Sequence, residues 1–129
     1  LIRIHMTTTI SGSNGIVFPD ATSMQTGQQA VKAWVNFNGV GTVAIRASYN
    51  VASITDNGTG NYTVNFTTAM VDANYAAVVS GSNSSNTNYD ARFNAGVAPS
   101  TIGFRIFGST FGTPNGGVDS DHLMASVFK

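Results

Sequence analysis

The sequence predicts an all-β protein, an antiparallel β-sandwich, jelly-roll-like, of about eight short strands. Three observations lead there. From Ala30 onward apolar residues recur at every second position, the period of a strand with one buried face. Clusters of Gly, Asn, Ser and Thr separate these runs, as turns separate the strands of a sandwich. Strong helix formers are scarce: Glu is absent and only two Lys occur, whereas the abundant Thr, Val, Asn, Gly and Ser favour strands and turns.

Taken in order, residues 1–29 read differently from the rest. Leu1–Met6 matches neither a targeting signal nor the Thr-rich text after it, and His5-Met6 reads as a cloning scar. Thr7–Ile10 is a short β-prone piece, Ser11–Gly15 a turn, and Ile16–Phe18 an apolar strand closed by Pro19-Asp20. Such a segment has no core of its own and is expected to be a stalk or collar. Residues 30–129 form the expected head. Val31, Ala33, Val35 and Phe37 share one face of the first strand; Val43, Ile45, Ala47 and Tyr49 share one face of the second. A three-residue hairpin loop at Gly39–Gly41, with glycine at its left-handed third position, pairs Phe37 with Val43, Val35 with Ile45, Ala33 with Ala47 and Val31 with Tyr49. That register also sets Trp34 across from Arg46. A third strand is expected at Val51–Thr55, followed by the turn Asp56–Asn61 and a fourth strand with Tyr62, Val64 and Phe66 inside. Ala73–Val79, apolar on both faces, reads as a central or interface strand. Ser80–Asn88 reads as a loop. Tyr89, Ala91, Phe93, Ala95 and Val97 then face inward, as do Ile102, Phe104 and Ile106 of a seventh strand. Gly108–Asp121 is a long loop, and Leu123, Ala125 and Val127 end the chain as an eighth strand.

Charged residues make up 9% of the chain, against roughly 25% in an average domain. The formal net charge is zero, so no long-range field draws nucleic acid or an anionic membrane. A neutral, charge-poor surface protects poorly against self-association, and much of it is expected to meet identical chains. Without Cys there is neither a disulfide framework nor a thiolate metal site. No apolar run reaches the ~20 residues of a membrane-spanning helix, and no membrane insertion is expected.

Two stretches carry a family resemblance. Gly15-Ile16-Val17-Phe18-Pro19-Asp20-Ala21-Thr22-Ser23-Met24-Gln25-Thr26 resembles the FPDGT-x-Q-type element that precedes the heads of bacteriophage tail fibres, with Ala21 where Gly is usual. Lys32-Ala33-Trp34-Val35-Asn36-Phe37-Asn38-Gly39, with Gly41–Arg46 and Ser53–Phe66, is similar to a KAWVNFNG-type head domain of predicted fibre proteins of tailed phages. The resemblance spans about half the chain, residues 15–79. It implies a trimeric adhesin at the distal end of a tail fibre in the virion. Its partners would be the rest of the fibre and a bacterial surface receptor, a glycan or an outer-membrane structure. The alternative is a trimerisation or capping module without receptor contact. The resemblance supplies no ligand-binding residues.

Catalytic chemistry finds little purchase, and a non-enzyme is expected. A polysaccharide hydrolase needs paired carboxylates; of six Asp, only Asp119 and Asp121 lie close together, beside His122. The plainer reading of both is that they cap backbone amides at a loop end. His122 alone, with His5 in the scar, cannot assemble the three or four ligands of a zinc site. No metal or cofactor is expected. Gly112–Gly117 lacks the Lys of a phosphate loop. The single Trp34 reads as a packing or trimer-contact residue rather than a sugar platform, because it lies in mid-strand. Four Asn-x-Ser/Thr triplets, at Asn57, Asn61, Asn65 and Asn83, are what chance yields in a chain so rich in these residues.

Strand parity locates the expected receptor face. Antiparallel strands reverse direction, so alternate connections fall at one end of a sandwich. The odd connections are Gly39–Gly41, Asp56–Asn61, Ser80–Asn88 and Gly108–Asp121, the last two being the longest. They lie opposite the end where the stalk enters. Loops on a rigid scaffold are where binding residues concentrate. The receptor-binding candidates are Asn83, Asn86, Asn88 and Asn115, with Tyr89 and Phe111 as apolar faces beside them.

Overall fold

A computed structural model describes residues 9–11, 15–17, 23–24, 31–85, 88–94, 96–112 and 116–129. Near the N-terminus, β1 (Thr9–Ser11), β2 (Gly15–Val17) and β3 (Ser23–Met24) form a small antiparallel sheet in that order. The remainder of the stalk expectation, Pro19-Asp20 and the scar included, lies outside the described residues.

The head is the expected sandwich. Eight strands follow: β4 (Val31–Asn38), β5 (Ala44–Tyr49), β6 (Val51–Asp56), β7 (Asn61–Phe66), β8 (Ala76–Ser82), β9 (Tyr89–Phe93), β10 (Gly103–Thr110) and β11 (His122–Phe128). They form two antiparallel four-stranded sheets, β5-β4-β11-β8 and β6-β7-β10-β9. The pairs β4–β5, β6–β7 and β9–β10 are hairpins between chain neighbours, a connectivity richer in hairpins than the nested Greek keys of a jelly roll. The two inner strands of each sheet supply most of the core. Ala33, Val35 and Phe37 of β4 and Leu123, Ala125 and Val127 of β11 meet Tyr62, Val64 and Phe66 of β7 and Phe104 and Ile106 of β10. Each of the larger of these side chains contributes roughly 1.5–3 kcal/mol by leaving water. The Phe37 and Tyr62 rings meet edge to face at 5.4 Å, joining the two sheets.

The first hairpin corrects the expected register. Phe37 pairs with Ile45, not Val43; Val35 with Ser48, not Ile45; and Trp34 with Tyr49, not Arg46. The register shifts between Asn36 and Phe37, where β5 carries Arg46 as an extra residue. Such a bulge flips the faces beyond it. Tyr49 therefore lies 58% exposed on the outside, beside Trp34, instead of in the core. The loop runs over residues 39–43 rather than Gly39–Gly41, although Gly41 has the left-handed φ of 65° expected of it.

Further expectations are revised. Of the two readings of Ala73–Val79, central or interface, the central one is excluded: the strand begins at Ala76, runs to Ser82 and lies at a sheet edge, with Val78 62% exposed. Ser80–Ser82 and Gly108–Thr110 belong to strands rather than loops. Gly108 is needed mid-strand because the Tyr89 hydroxyl occupies the space a Cβ would take. Val97 lies beyond β9 and is partly exposed. Ile102 is 65% exposed at the tip of a turn closed by the Ser100–Gly103 bridge.

Candidate functional site

Parity sorts the connections as expected. The turns after β4, β6, β8 and β10 gather at one end and are bonded to each other through residues 119–121. Gly39 N donates to Ser120 O at 2.8 Å, and Gly60 N to Asp119 Oδ1 at 2.7 Å. Asn83 Nδ2 donates to Asp119 O at 2.6 Å, and Ser84 N to Asp121 Oδ1 at 3.1 Å. Tyr62 adds its hydroxyl to Asp119 Oδ1 at 2.6 Å and to Gly39 O at 2.9 Å. Phe111 N donates to Asn88 O at 2.6 Å. The start of β4 is at the other end, where Asn50 Nδ2 reaches Lys32 O at 3.1 Å.

These bonds give the acidic pair its role. Asp119 and Asp121 are loop clasps, each accepting from a backbone amide of a different connection. Hydrogen bonds from the Ser84 side chain and amide hold the Asp121 carboxyl down at about 2. Ser120, fully buried, bonds Ser82 O and His122 O, and so pins β8 beside β11. Burial first, then the bond to Asp119, pushes the Tyr62 hydroxyl above the usual tyrosine range. Among the described residues, no group of three His, Cys, Asp or Glu could hold a metal ion.

The predicted candidates fare unequally. Asn83 is consumed by the scaffold: its amide holds Asp119 O, and its Oδ1 accepts Ser85 N at 2.8 Å. The Tyr89 ring packs between Gly81 and Gly108, and burial pushes its hydroxyl up to about 12. It is a wall of the core, not an exposed platform. Asn88 is exposed and close to Phe111 through the backbone hydrogen bond just described. Asn86 and Asn115 lie outside the described residues. Phe111 is 82% exposed, directly after β10.

Phe111 borders a cleft of about 280 Å³ that sequence reasoning missed, lined also by Asp90, Arg92, Ser109, Thr110 and Gly112. The β9–β10 register builds it, setting Asp90 across from Ser109 and Arg92 across from Phe107. Arg92 Nη1 donates to Asp90 Oδ2 at 3.0 Å and to Ser109 Oγ at 2.7 Å, while its guanidinium lies 5.0 Å over the Phe107 ring. The left-handed φ of 88° at Gly112 turns the chain immediately after Phe111. An oriented carboxylate, a guanidinium and a solvent-facing aromatic ring in one cleft can hydrogen-bond vicinal hydroxyls and stack on an apolar ring face. The signal in the sequence is the pair Asp90 and Arg92, which alternate with the inward Tyr89, Ala91 and Phe93 and so face out. No family model, curated protein or solved structure matches this chain.

Proposed function

We propose that this chain is the receptor-binding head of a bacteriophage tail fibre, a homotrimeric adhesin that meets a bacterial surface glycan with its loop end. The observation that carries this reading is the exposed Phe111 ring beside Asp90, Arg92 and Ser109, at the end of the sandwich away from Val31. The fibre-like motifs at residues 15–26 and 32–66 support the phage assignment. Three copies of a shallow site gain avidity that one copy lacks.

The outer face of the β5-β4-β11-β8 sheet supports self-association. One cross-strand row runs Trp34, Ser126, Val78, with Met124 in the next row and Phe128 at the end. The same face favours a second reading, a trimerisation or capping module without receptor contact. Binding of the labelled protein to bacteria, with and without competing purified surface polysaccharide, separates the two. The adhesin binds and is displaced by the polysaccharide. A cap does not bind, and that result rejects the proposal.

A further inference from the structure

At the opposite end of the head lies a cleft of about 460 Å³, within the range of small-molecule sites. Its walls are Lys32 of β4, Tyr49 and Asn50 at the corner between the sheets, Thr67–Val71 after β7, and Lys129. We infer that this cleft binds an anionic sugar, with the Tyr49 ring beneath the pyranose and Lys32 facing its carboxylate or phosphate. The site is additional to the loop-end cleft and does not depend on it.

Three features carry the inference. First, the walls are held in place. Asn50 adopts a left-handed φ of 53°; its Nδ2 donates to Lys32 O at 3.1 Å and to Thr68 O at 3.2 Å, and its Oδ1 accepts Thr68 N at 2.7 Å. Met70 N is bonded to Thr101 O at 2.8 Å, and its side chain is buried. A site organised before binding loses less entropy on binding. Second, the positive charge is not fully compensated. Asp72 bonds Lys129, but among the described residues Lys32 has no ion-pair partner. Lys32 is moreover the extra residue of a bulge between Ala33 and Val31, opposite Val127 and Phe128. Bulges re-aim side chains beside functional sites. Third, the Tyr49 ring is exposed because the Arg46 bulge turned it outward. Ring, ammonium and the hydroxyls of Thr67 and Thr68 are the groups an anionic pyranose needs.

The test is calorimetric titration of the whole chain with trigalacturonate, glucose 1-phosphate, maltotriose and inorganic phosphate. Both anionic sugars are expected to bind, and maltotriose and phosphate about tenfold more weakly or not at all. Lys32→Gln and Tyr49→Ala should each weaken the anionic sugars by about tenfold, and Tyr49→Phe should restore binding. Circular dichroism and the melting temperature check that each variant is folded. Equal affinity for maltotriose, equal affinity for phosphate alone, no binding of either anionic sugar, or folded Lys32→Gln and Tyr49→Ala variants with unchanged affinity would each overturn the inference.

Discussion

The two sheets bury similar inner faces but present opposite outer ones. Outside β6-β7-β10-β9, polar side chains satisfy each other: Asn65 Nδ2 bonds Ser53 Oγ at 3.1 Å and Thr55 Oγ1 at 2.9 Å, and Asn57 Nδ2 bonds Thr63 Oγ1 at 2.9 Å. Outside β5-β4-β11-β8, Trp34, Tyr49, Val78, Met124 and Phe128 stand partly or largely in solvent. Single exposed apolar residues are ordinary, but Trp34, Met124, Phe128 and Val78 on three adjacent strands are what an association face looks like. A polar ladder that bonds to itself offers a partner little, whereas an aromatic row gains by being covered.

The largest expected effect falls on the apolar face. Trp34→Arg should dissociate the proposed trimer, because aromatic residues at the centre of an interface contribute about 2 kcal/mol or more. Light scattering should change from three chains to one. Thr55→Arg on the polar face should leave the mass unchanged, and an equal response from both variants would erase the distinction.

Next is the clasp at the loop end, which ties both sheets together. Asp119→Ala removes the acceptor of Gly60 N and one acceptor of the buried Tyr62 hydroxyl. Tyr62 keeps Gly39 O, but leaving the buried Gly60 amide unpaired costs about 1–3 kcal/mol, measurable as a lower urea midpoint. Acid should loosen the same end. The Asp121 carboxyl, held down at about 2 by Ser84 against an ordinary 3.8, contributes stability that is present above about pH 4. That contribution is lost as pH falls through about 2. Asp72, lowered by its bond to Lys129, shifts in the same direction. Asp121→Asn should flatten this acid dependence in melting curves; an unchanged slope would show that the Ser84 bonds carry no weight in solution.

The smallest effect belongs to the polar ladder. Asn65→Ala should cost under about 1 kcal/mol, since its hydrogen bonds replace bonds to water. A loss as large as that of Asp119→Ala would mean that this face, too, is structural.

What the sequence disclosed follows from what each feature depends on. Inner faces were legible in Ala33, Val35 and Phe37 and in Leu123, Ala125 and Val127, because burial repeats every second residue within a single strand. The outward turn of Tyr49 was not, because one extra residue at Arg46 reverses the faces and a bulge leaves no periodic trace. Ser80–Ser82 and Gly108 read as loop because Gly and Ser usually mark turns; here tight packing against Tyr89 demands a glycine. Among the candidate residues, the exposure of Phe111 was legible from its place in a loop. Asp90 and Arg92 come beside it only through the β9–β10 register, and Asn83 and Tyr89 are engaged in hydrogen bonding and packing that a single strand's pattern does not contain.

The most direct test of the adhesin account is chemical-shift mapping of the isotope-labelled head with polysaccharide from a bacterium to which it binds. The account predicts perturbations clustered on Asp90, Arg92, Ser109 and Phe111, with Phe111→Ala weakening binding by about tenfold or more. Shifts confined to the outer face around Trp34, or full binding by Phe111→Ala, would contradict it.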